Sequence, residues 1–192
     1  REQGAVSKQD IVIGLGLSLP TITQNLNNLA ELGLIDTSKK ISNTGGRNAT
    51  AYSYIEKARY AVGLYLNRHH INCVAVDLSG NVISLIRVRE NFDLNDDNYL
   101  RKIGETVEEV KKDTGLSDDR FLGVGIAVQG LISDDGERVT YGLTLNFTGV
   151  TRADIAKYIP YHNRLFHDSA AAGYAEVWDR IYVTTLFTFD FA

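Results

Sequence analysis

Residues Leu122–Val128 form an almost unbroken apolar run, LGVGIAV. A strand with one face in water alternates apolar and polar residues, whereas a strand buried on both faces is apolar nearly throughout. The run therefore predicts an inner strand of a sheet that is covered on both sides. Helices cover both faces of such a sheet in α/β proteins, so the predicted fold class is α/β.

The segments on either side of this run have the lengths and periodicities of an α/β domain. Three short strands are predicted before it, and Ser79-Gly80-Asn81 has the composition of a hairpin tip between two of them. A long amphipathic helix follows the third strand, because apolar residues recur there at helical spacing. The predicted elements are strands Ala61–Leu66, Ile71–Leu78, Val82–Val88 and Leu165–His167, and helices Asp97–Thr114, Thr151–Ile159 and Ser169–Val177.

The beginning of the chain follows a different pattern. Ser7 and Asp10 have the spacing of a helix capping box, with aspartate in the position of the usual glutamate. A second helix is predicted over residues 19–32, after an N-cap at Ser18 and with Pro20 in its first turn. The first segment therefore contains two short helices joined by a tight turn.

Two strand-like segments at residues 34–35 and 51–55 flank a polar, glycine-rich turn. Such a pattern predicts a β-hairpin. A pair of short helices followed by a hairpin predicts a winged helix-turn-helix DNA-binding domain over residues 1–57. Residues 58–192 then form a second domain.

In a winged helix-turn-helix domain, the second helix enters the major groove of DNA. Amide side chains pair with adenine edges, and hydroxyl side chains contact bases or phosphates. An arginine at the tip of the hairpin suits a narrow minor groove. The candidate DNA-binding residues are Ser18, Thr21, Thr23, Gln24, Asn25 and Arg47. The alternative is a polar helix face that is only solvated.

Charge and cysteine content limit the classes of function. The 192 residues have a formal net charge of −4, but the first 57 hold six Lys+Arg against five Asp+Glu. A DNA-reading domain joined to an acidic body has this distribution. Cys73 is the only cysteine, which excludes an internal disulfide and a cysteine-rich zinc site. Neither an apolar run of membrane-spanning length nor a signal peptide is visible, so a cytoplasmic protein is expected.

Several motifs, taken in order, resemble those of the ROK family (repressors, open reading frames and sugar kinases). The run LGLSLPTITQNLNNLAELGLI, followed by TGGRNATAYSY, resembles the DNA-binding half of the family's repressors, which include xylose- and N-acetylglucosamine-responsive regulators. GVGIAVQGLIS, LNFTGV and HDSAAAGYAE resemble its buried strand, its sugar loop and the start of a later helix. The resemblance implies that residues 58–192 form an actin-like, ribonuclease-H-like sugar-kinase-type domain, incomplete at its carboxyl end.

The resemblance also implies a sugar site in a cleft between two lobes. Asp168 matches the general base of the family's kinases, and in a regulator it accepts hydrogen bonds from sugar hydroxyls. Asn146 matches the asparagine of the sugar loop, Gly130 lies where the backbone approaches the sugar ring, and Glu176 supports the site. His167 replaces the family's usual asparagine. The structural alternatives are a helix N-cap for Asp168, which is compatible with ligand contact, and a helix-surface residue for Glu176.

The sequence departs from the family's kinases at the nucleotide site. The kinases carry a phosphate loop of the form Asp-x-Gly-Gly-Thr on the first strand of the domain, and Tyr65–His69 aligns with it here without its carboxylate or its glycines. We therefore expect no enzymatic activity and no cofactor. A structural zinc is expected only in the family's carboxy-terminal part. Adjacent His69 and His70 point to opposite faces of a strand and are not expected to form a metal pair.

These implications combine into one predicted function. We expect a sequence-specific DNA-binding transcription regulator, a repressor of carbohydrate-utilisation genes controlled by a sugar or sugar phosphate. Its expected partners are double-stranded operator DNA, the sugar effector and further copies of itself in a homodimer or homotetramer, with no membrane. The alternatives are an ATP-dependent sugar kinase of the ROK family and a sugar-binding module whose helix pair contacts protein.

Overall fold

The computed structural model describes residues 5–41 and 49–177, with side chains as far as Ala172. The chain divides into two compact units, Arg1–Ala58 and Arg59–Ala192. Both contain helices and strands, so the predicted α/β class is confirmed. Within the described ranges, no helix is long and apolar enough to cross a membrane.

The described residues of the first unit, 5–41 and 49–58, form two α-helices and four short strands. They are β1 (Val6–Ser7), α1 (Lys8–Leu15), α2 (Leu19–Glu31), β2 (Ile35–Asp36), β3 (Lys40–Ile41) and β4 (Ala49–Tyr54). β4 pairs antiparallel with each of the other three strands. Both helices lie where the sequence predicts them. The strands differ, because β3 occupies part of the predicted turn and β4 begins two residues earlier than expected. The first two residues of β4, Ala49 and Thr50, are small or polar, so a hydrophobicity pattern does not mark them as strand.

Side-chain caps fix the starts of both helices, as predicted. The Ser7 N–H donates to the Asp10 carboxylate at 2.9 Å, and the Asp10 N–H donates to the Ser7 hydroxyl at 3.2 Å. Gly16 ends α1 with a φ of 64°, a conformation that glycine adopts without a Cβ clash. The hydroxyl of Ser18 accepts from the Thr21 N–H at 3.4 Å and starts α2. Each such cap stabilises its helix by about 1 kcal/mol.

The second unit is built on a five-stranded sheet with the spatial order β11-β8-β5-β6-β7. The elements are β5 (Tyr60–Leu66), β6 (His70–Asp77), β7 (Val82–Arg89), α3 (Asp97–Asp113), β8 (Phe121–Val128), β9 (Leu131–Ile132), β10 (Val139–Tyr141), α4 (Arg152–Ile155), β11 (Asn163–His167) and α5 (Asp168–Val177). β8 pairs in parallel with β5 and β11, whereas β6 pairs antiparallel with β5 on one side and with β7 on the other. The LGVGIAV run is thus an inner strand, as predicted. The short helix α4 ends four residues earlier than expected, and the β9–β10 hairpin was not predicted.

The two faces of this sheet differ. On one face, buried residues of α3 form one hydrophobic cluster with fully buried sheet residues such as Val62, Leu64 and Ile126, and Ile155 of α4 belongs to the same cluster. The opposite face carries a trough of about 250 Å³ that is lined mostly by apolar residues, large ones such as Leu85 and Phe166 among them, and by Ala171 of α5. The sequence predicted that both faces of the sheet are covered. Within the described residues, only the face beneath α3 is fully covered.

Helix α3 is fastened to the segment that follows α4. The Asp97 carboxylate accepts hydrogen bonds from the Lys157 ammonium at 2.7 Å and from the Tyr158 hydroxyl at 2.8 Å. These hydrogen bonds lower the pKa of Asp97 to about 2, and the bond from Lys157 has the largest effect. Further along α3, a Cβ on Gly104 would lie 2.9 Å from the Cβ of Tyr158 and closer still to its carbonyl oxygen. Only glycine fits at this crossing without a shift.

Replacing Gly104 by alanine is therefore expected to lower the free energy of unfolding by about 1–3 kcal/mol, because α3 must move off the backbone beside it. Urea denaturation followed by circular dichroism measures the change. Gly14→Ala is the control, since nothing lies within 4 Å of a Cβ at that helical position. There alanine adds up to about 1 kcal/mol of helix stability. Equal stability of the two variants would contradict this packing of α3.

Candidate functional site

One side of α2 presents polar side chains to solvent. Ile22 and Leu26 are 2% and 6% exposed and form the buried side of the helix. On the other side, four exposed residues follow each other at i, i+3, i+4 and i+7, which places them on one face. This α2 polar ridge consists of Thr21, Gln24, Asn25 and Asn28. Amide and hydroxyl groups on a convex helix surface are suited to contact the edges of bases.

The structure separates the residues that the sequence grouped together. Ser18 uses its hydroxyl as the N-cap, and the half-buried Thr23 donates its hydroxyl to the Leu19 carbonyl at 2.8 Å. Asn28 has a place on the polar surface predicted for this helix but was not among the DNA-binding candidates; it lies four residues after Gln24 and accepts a hydrogen bond from the Gln24 amide at 2.9 Å. The helical spacing from Gln24 was the signal that could have found Asn28. Candidate residue Arg47 lies outside the described residues.

A second candidate site lies where the parallel strands of the larger sheet end. The last residues of β5 and β11 both align with Val128, the last residue of β8. The turn 67–69, Gly130 and Asp168 follow these three ends closely in sequence. Ligands of open α/β sheets bind outside the carboxyl ends of such strands. The topology therefore brings Gly130 and Asp168 to one edge.

Asp168 is the first residue of α5 and comes directly after β11. Its carboxylate accepts from the Ser169 N–H at 2.7 Å and lies 3.6 Å from Nδ1 of His167, which is also 2.6 Å from the Ser169 hydroxyl. The helix begins one residue earlier than predicted, so Asp168 occupies its first turn rather than the N-cap. A carboxylate there is favoured by the helix dipole and remains about one quarter exposed, at 28%. Glu176 lies in the same helix, but its side chain is outside the described ones.

Gly130 is buried and tightly surrounded by protein. A Cβ at this position would lie 2.9 Å from Val139 Cγ1, 3.0 Å from the Tyr141 carbonyl oxygen and 3.2 Å from the Phe147 ring. Packing within the protein therefore explains the glycine. This packing could not be predicted from the residues around Gly130, because Phe147 lies 17 residues further along the chain.

The loop Gly142–Gly149, called the Asn146 loop below, carries the predicted sugar-loop asparagine. Asn146 has a φ of 54°, and among the described residues it is the only one other than glycine with a positive φ. Asparagine is one of the few residues that tolerate this left-handed conformation. The next residue, Phe147, is 3% exposed, whereas the Asn146 side chain is exposed. The loop thus anchors itself through Phe147 and presents an amide to solvent.

The turn that aligns with the kinase phosphate loop is filled by its own side chains. The Asn67 side-chain oxygen accepts from the N–H groups of His69 and His70, each at 3.0 Å. The Arg68 guanidinium donates to the Thr144 carbonyl oxygen at 2.7 Å. The Nδ1 atom of the His69 ring is hydrogen-bonded to the side-chain oxygen of Asn91 at 3.1 Å. No group of three or more metal-ligating side chains occurs in the part of the chain that the structure describes.

An open cleft of about 610 Å³ borders the same edge of the sheet, between residues 131–137 and β11. His167, beside Asp168, is one of its lining residues. Arg152 in this cleft pairs with the Glu137 carboxylate at 2.9 Å and donates to the Asn163 side chain at 2.7 Å. The volume is in the range of small-molecule sites.

Comparison with known proteins relates this architecture to one family. Neither a protein-family model nor a curated protein sequence matches the chain. Among solved structures, the chain is similar to a ROK family transcriptional regulator, a homologue of the E. coli MLC protein. The TM-score is 0.66 at 19% identity, over 89% of this chain and 43% of that one. The chain therefore has the fold of a ROK family protein and spans less than half the length of that regulator.

Two ROK family kinases are similar over a smaller part of the chain. One is a glucokinase from Streptomyces griseus in complex with glucose and AMPPNP, with a TM-score of 0.49, 16% identity and coverage of 61% of this chain and 36% of that one. The other is a ROK hexokinase from Thermus thermophilus, with a TM-score of 0.49, 20% identity and coverage of 61% and 38%.

Proposed function

We propose that the protein is a sequence-specific DNA-binding transcription regulator, a repressor of carbohydrate-utilisation genes under the control of a sugar or sugar phosphate. The observation that carries this proposal is the α2 polar ridge, which is exposed in a unit of its own. The fold shared with a ROK family transcriptional regulator over 89% of the chain supports it. Such a protein acts in the cytoplasm and needs no catalytic residue.

In this proposal the first unit is a winged helix-turn-helix domain. α2 lies in the major groove, where the amides of Gln24 and Asn25 pair with adenine edges. Arg47, which the sequence predicts for the tip of the hairpin, enters the neighbouring minor groove in this proposal, because a narrow groove attracts arginine. Two copies of the protein, as a dimer or within a tetramer, bind the two halves of an inverted repeat.

The effector site in this proposal is the carboxyl edge of the parallel strands. Asp168 accepts hydrogen bonds from sugar hydroxyls, Asn146 donates and accepts through its amide, and Glu176 supports the site from α5. Gly130 contributes the close packing that holds the Asn146 loop. Binding regulates DNA affinity only if the sugar has different affinities for the DNA-competent and incompetent states.

The turn 67–69 argues against the alternative of a sugar kinase. A phosphate loop needs glycines whose N–H groups are free to approach phosphate. Here the N–H groups of His69 and His70 are already bonded to the Asn67 side chain, and the Arg68 side chain is bonded to Thr144. An ATP-coupled assay decides the point. Turnover that Asp168→Asn abolishes would establish the kinase instead.

Selection of binding sites from a random pool of duplex DNA tests the DNA half of the proposal. We expect the selected duplexes to share an inverted repeat, because symmetric copies of α2 read symmetric half-sites. A pool that remains random after repeated rounds would contradict the proposal. Weak enrichment without symmetry would contradict its dimeric form.

The Asp168→Asn variant is expected to bind its sugar about 10- to 100-fold more weakly, because hydrogen bonds to a charged group contribute about 1.5–3 kcal/mol. A thermal-shift screen of monosaccharides and their phosphates identifies the sugar, since ligand binding stabilises the native state. Titration calorimetry then gives the two affinities. Glu109→Gln, the same chemical change at an exposed position on α3, is the control. An unchanged affinity in Asp168→Asn would remove Asp168 from the site.

A further inference from the structure

The Asn146 loop is held from two directions, by Arg68 and by Phe92. We propose that these two side chains form a clamp that keeps Asn146 in its left-handed conformation. The inference rests on the proposed function, in which Asn146 contacts the sugar. Arg68 and Phe92 are then positioning residues, which act on the sugar through Asn146.

The polar arm of the clamp is Arg68. Its guanidinium donates to the carbonyl oxygen of Thr144 at 2.7 Å, two residues before Asn146. A hydrogen bond from a charged donor is shorter and stronger than one between neutral groups. The turn that carries Arg68 is itself fixed, because the Asn67 side chain accepts from two backbone N–H groups within it. Arg68 therefore holds the loop from a rigid base.

The apolar arm of the clamp is Phe92, which follows β7. Its ring meets the ring of Phe147 edge to face, with centroids 5.3 Å apart and an interplanar angle of 68°. Phe147 is the residue directly after Asn146 and is 3% exposed. Tyr99 of α3 contacts the same Phe92 ring, with centroids 5.7 Å apart. The aromatic arm therefore connects the loop to the core beneath α3.

The two arms are joined to each other through the backbone. The N–H of Phe92 donates to the carbonyl oxygen of Arg68 at 3.0 Å, and the N–H of Glu90 donates to that of His69 at 3.0 Å. These bonds extend the antiparallel β6–β7 pairing beyond the start of β6 and the end of β7. Arg68 and Phe92 are consequently joined by backbone hydrogen bonds, and together they contact the loop on both sides of Asn146.

The conformation of Asn146 explains why a clamp is needed. A φ of 54° is unfavourable for a residue with a Cβ, even for asparagine, which tolerates it better than most. Such a conformation persists where the surrounding contacts determine it. Thr144 is fixed on one side of Asn146 and Phe147 on the other, so the backbone between them has little freedom. The backbone position from which the exposed amide extends is thereby held before any sugar arrives.

Amide hydrogen exchange in the sugar-free protein tests the clamp. The N–H groups of Asn146 and Phe147 are bonded within the loop, to the carbonyl oxygens of Leu143 and Gly142. In Arg68→Ala we expect both to exchange about fivefold faster, the effect of losing one exposed hydrogen bond. The Cα and Cβ chemical shifts of Asn146 should move away from left-handed values. Arg68→Lys, which keeps a charged donor, should restore part of the protection.

Arg89→Ala, at an exposed arginine on β7, is the matched control and should leave both amides unchanged. The Val124 N–H, bonded to the His162 carbonyl at 2.9 Å, is the internal reference for global opening. Wild-type exchange in Arg68→Ala, or faster exchange to the same degree at Val124, would overturn the clamp. Because no sugar is present, this outcome is independent of whether the proposed sugar site exists.

Discussion

The Phe147→Ala variant is expected to unfold with a free energy about 3–5 kcal/mol below that of the wild-type protein. The ring is 3% exposed and occupies the space that side chains at Gly130 and Gly142 would fill. Neither glycine has atoms that can move into the cavity left by the ring. The surrounding backbone must therefore shift or leave a void, and the cost lies toward the upper end for such substitutions.

Urea denaturation at several protein concentrations measures this loss. Tyr141→Ala is the matched control, because this aromatic residue in β10 is 54% exposed. Exposed substitutions of this kind change stability by about 0.5 kcal/mol or less. A loss below about 1 kcal/mol in Phe147→Ala would show that the ring does not hold the Asn146 loop against the sheet.

The double variant Gln24→Ala, Asn25→Ala is expected to bind a selected operator at least about 100-fold more weakly than the wild-type protein. Each amide that pairs with an adenine contributes about 1–3 kcal/mol of discrimination. Both residues are exposed on the α2 polar ridge, and alanine is the best helix former. The loss should therefore come from the DNA contacts, with α2 intact. Fluorescence anisotropy with a labelled duplex gives the affinities, and circular dichroism checks the helix.

Asn27→Ala is the matched control for this experiment. Asn27 is an exposed asparagine of the same helix, next to Asn28 in sequence and so about 100° away around the helix axis. We expect its affinity for the operator to stay within about twofold of the wild type. If the double variant and the control bind equally well, the α2 polar ridge does not read DNA.

Local chemistry made part of this structure predictable. The capping box of Ser7 and Asp10 and the N-cap at Ser18 depend on residues three apart, and both are seen. The inner strand β8 followed from its apolar run. Short elements were less accessible, because β9, with two residues, and β10, with three, are too brief to show a period.

The contacts that shape the candidate sugar site lie beyond the reach of such local rules. Arg68 and Thr144 are 76 residues apart, and neither has a sequence neighbour that indicates the bond between them. Alignment with the phosphate loop showed that Arg68 stands where the kinases have a glycine. It did not show that the Arg68 side chain bonds to Thr144. Gly130 is similar, since the ring that requires it belongs to Phe147. Long-range contacts of this kind depend on the fold as a whole.

The central claim, that this protein reads a DNA sequence, is tested most directly by its affinity for a selected duplex and for the same bases in shuffled order. At physiological salt we expect the selected duplex to bind about 1,000-fold or more tightly. The logarithm of both affinities should fall linearly with the logarithm of the salt concentration, as phosphate contacts release counterions. Equal affinity for the two duplexes, or binding to neither, would contradict the account.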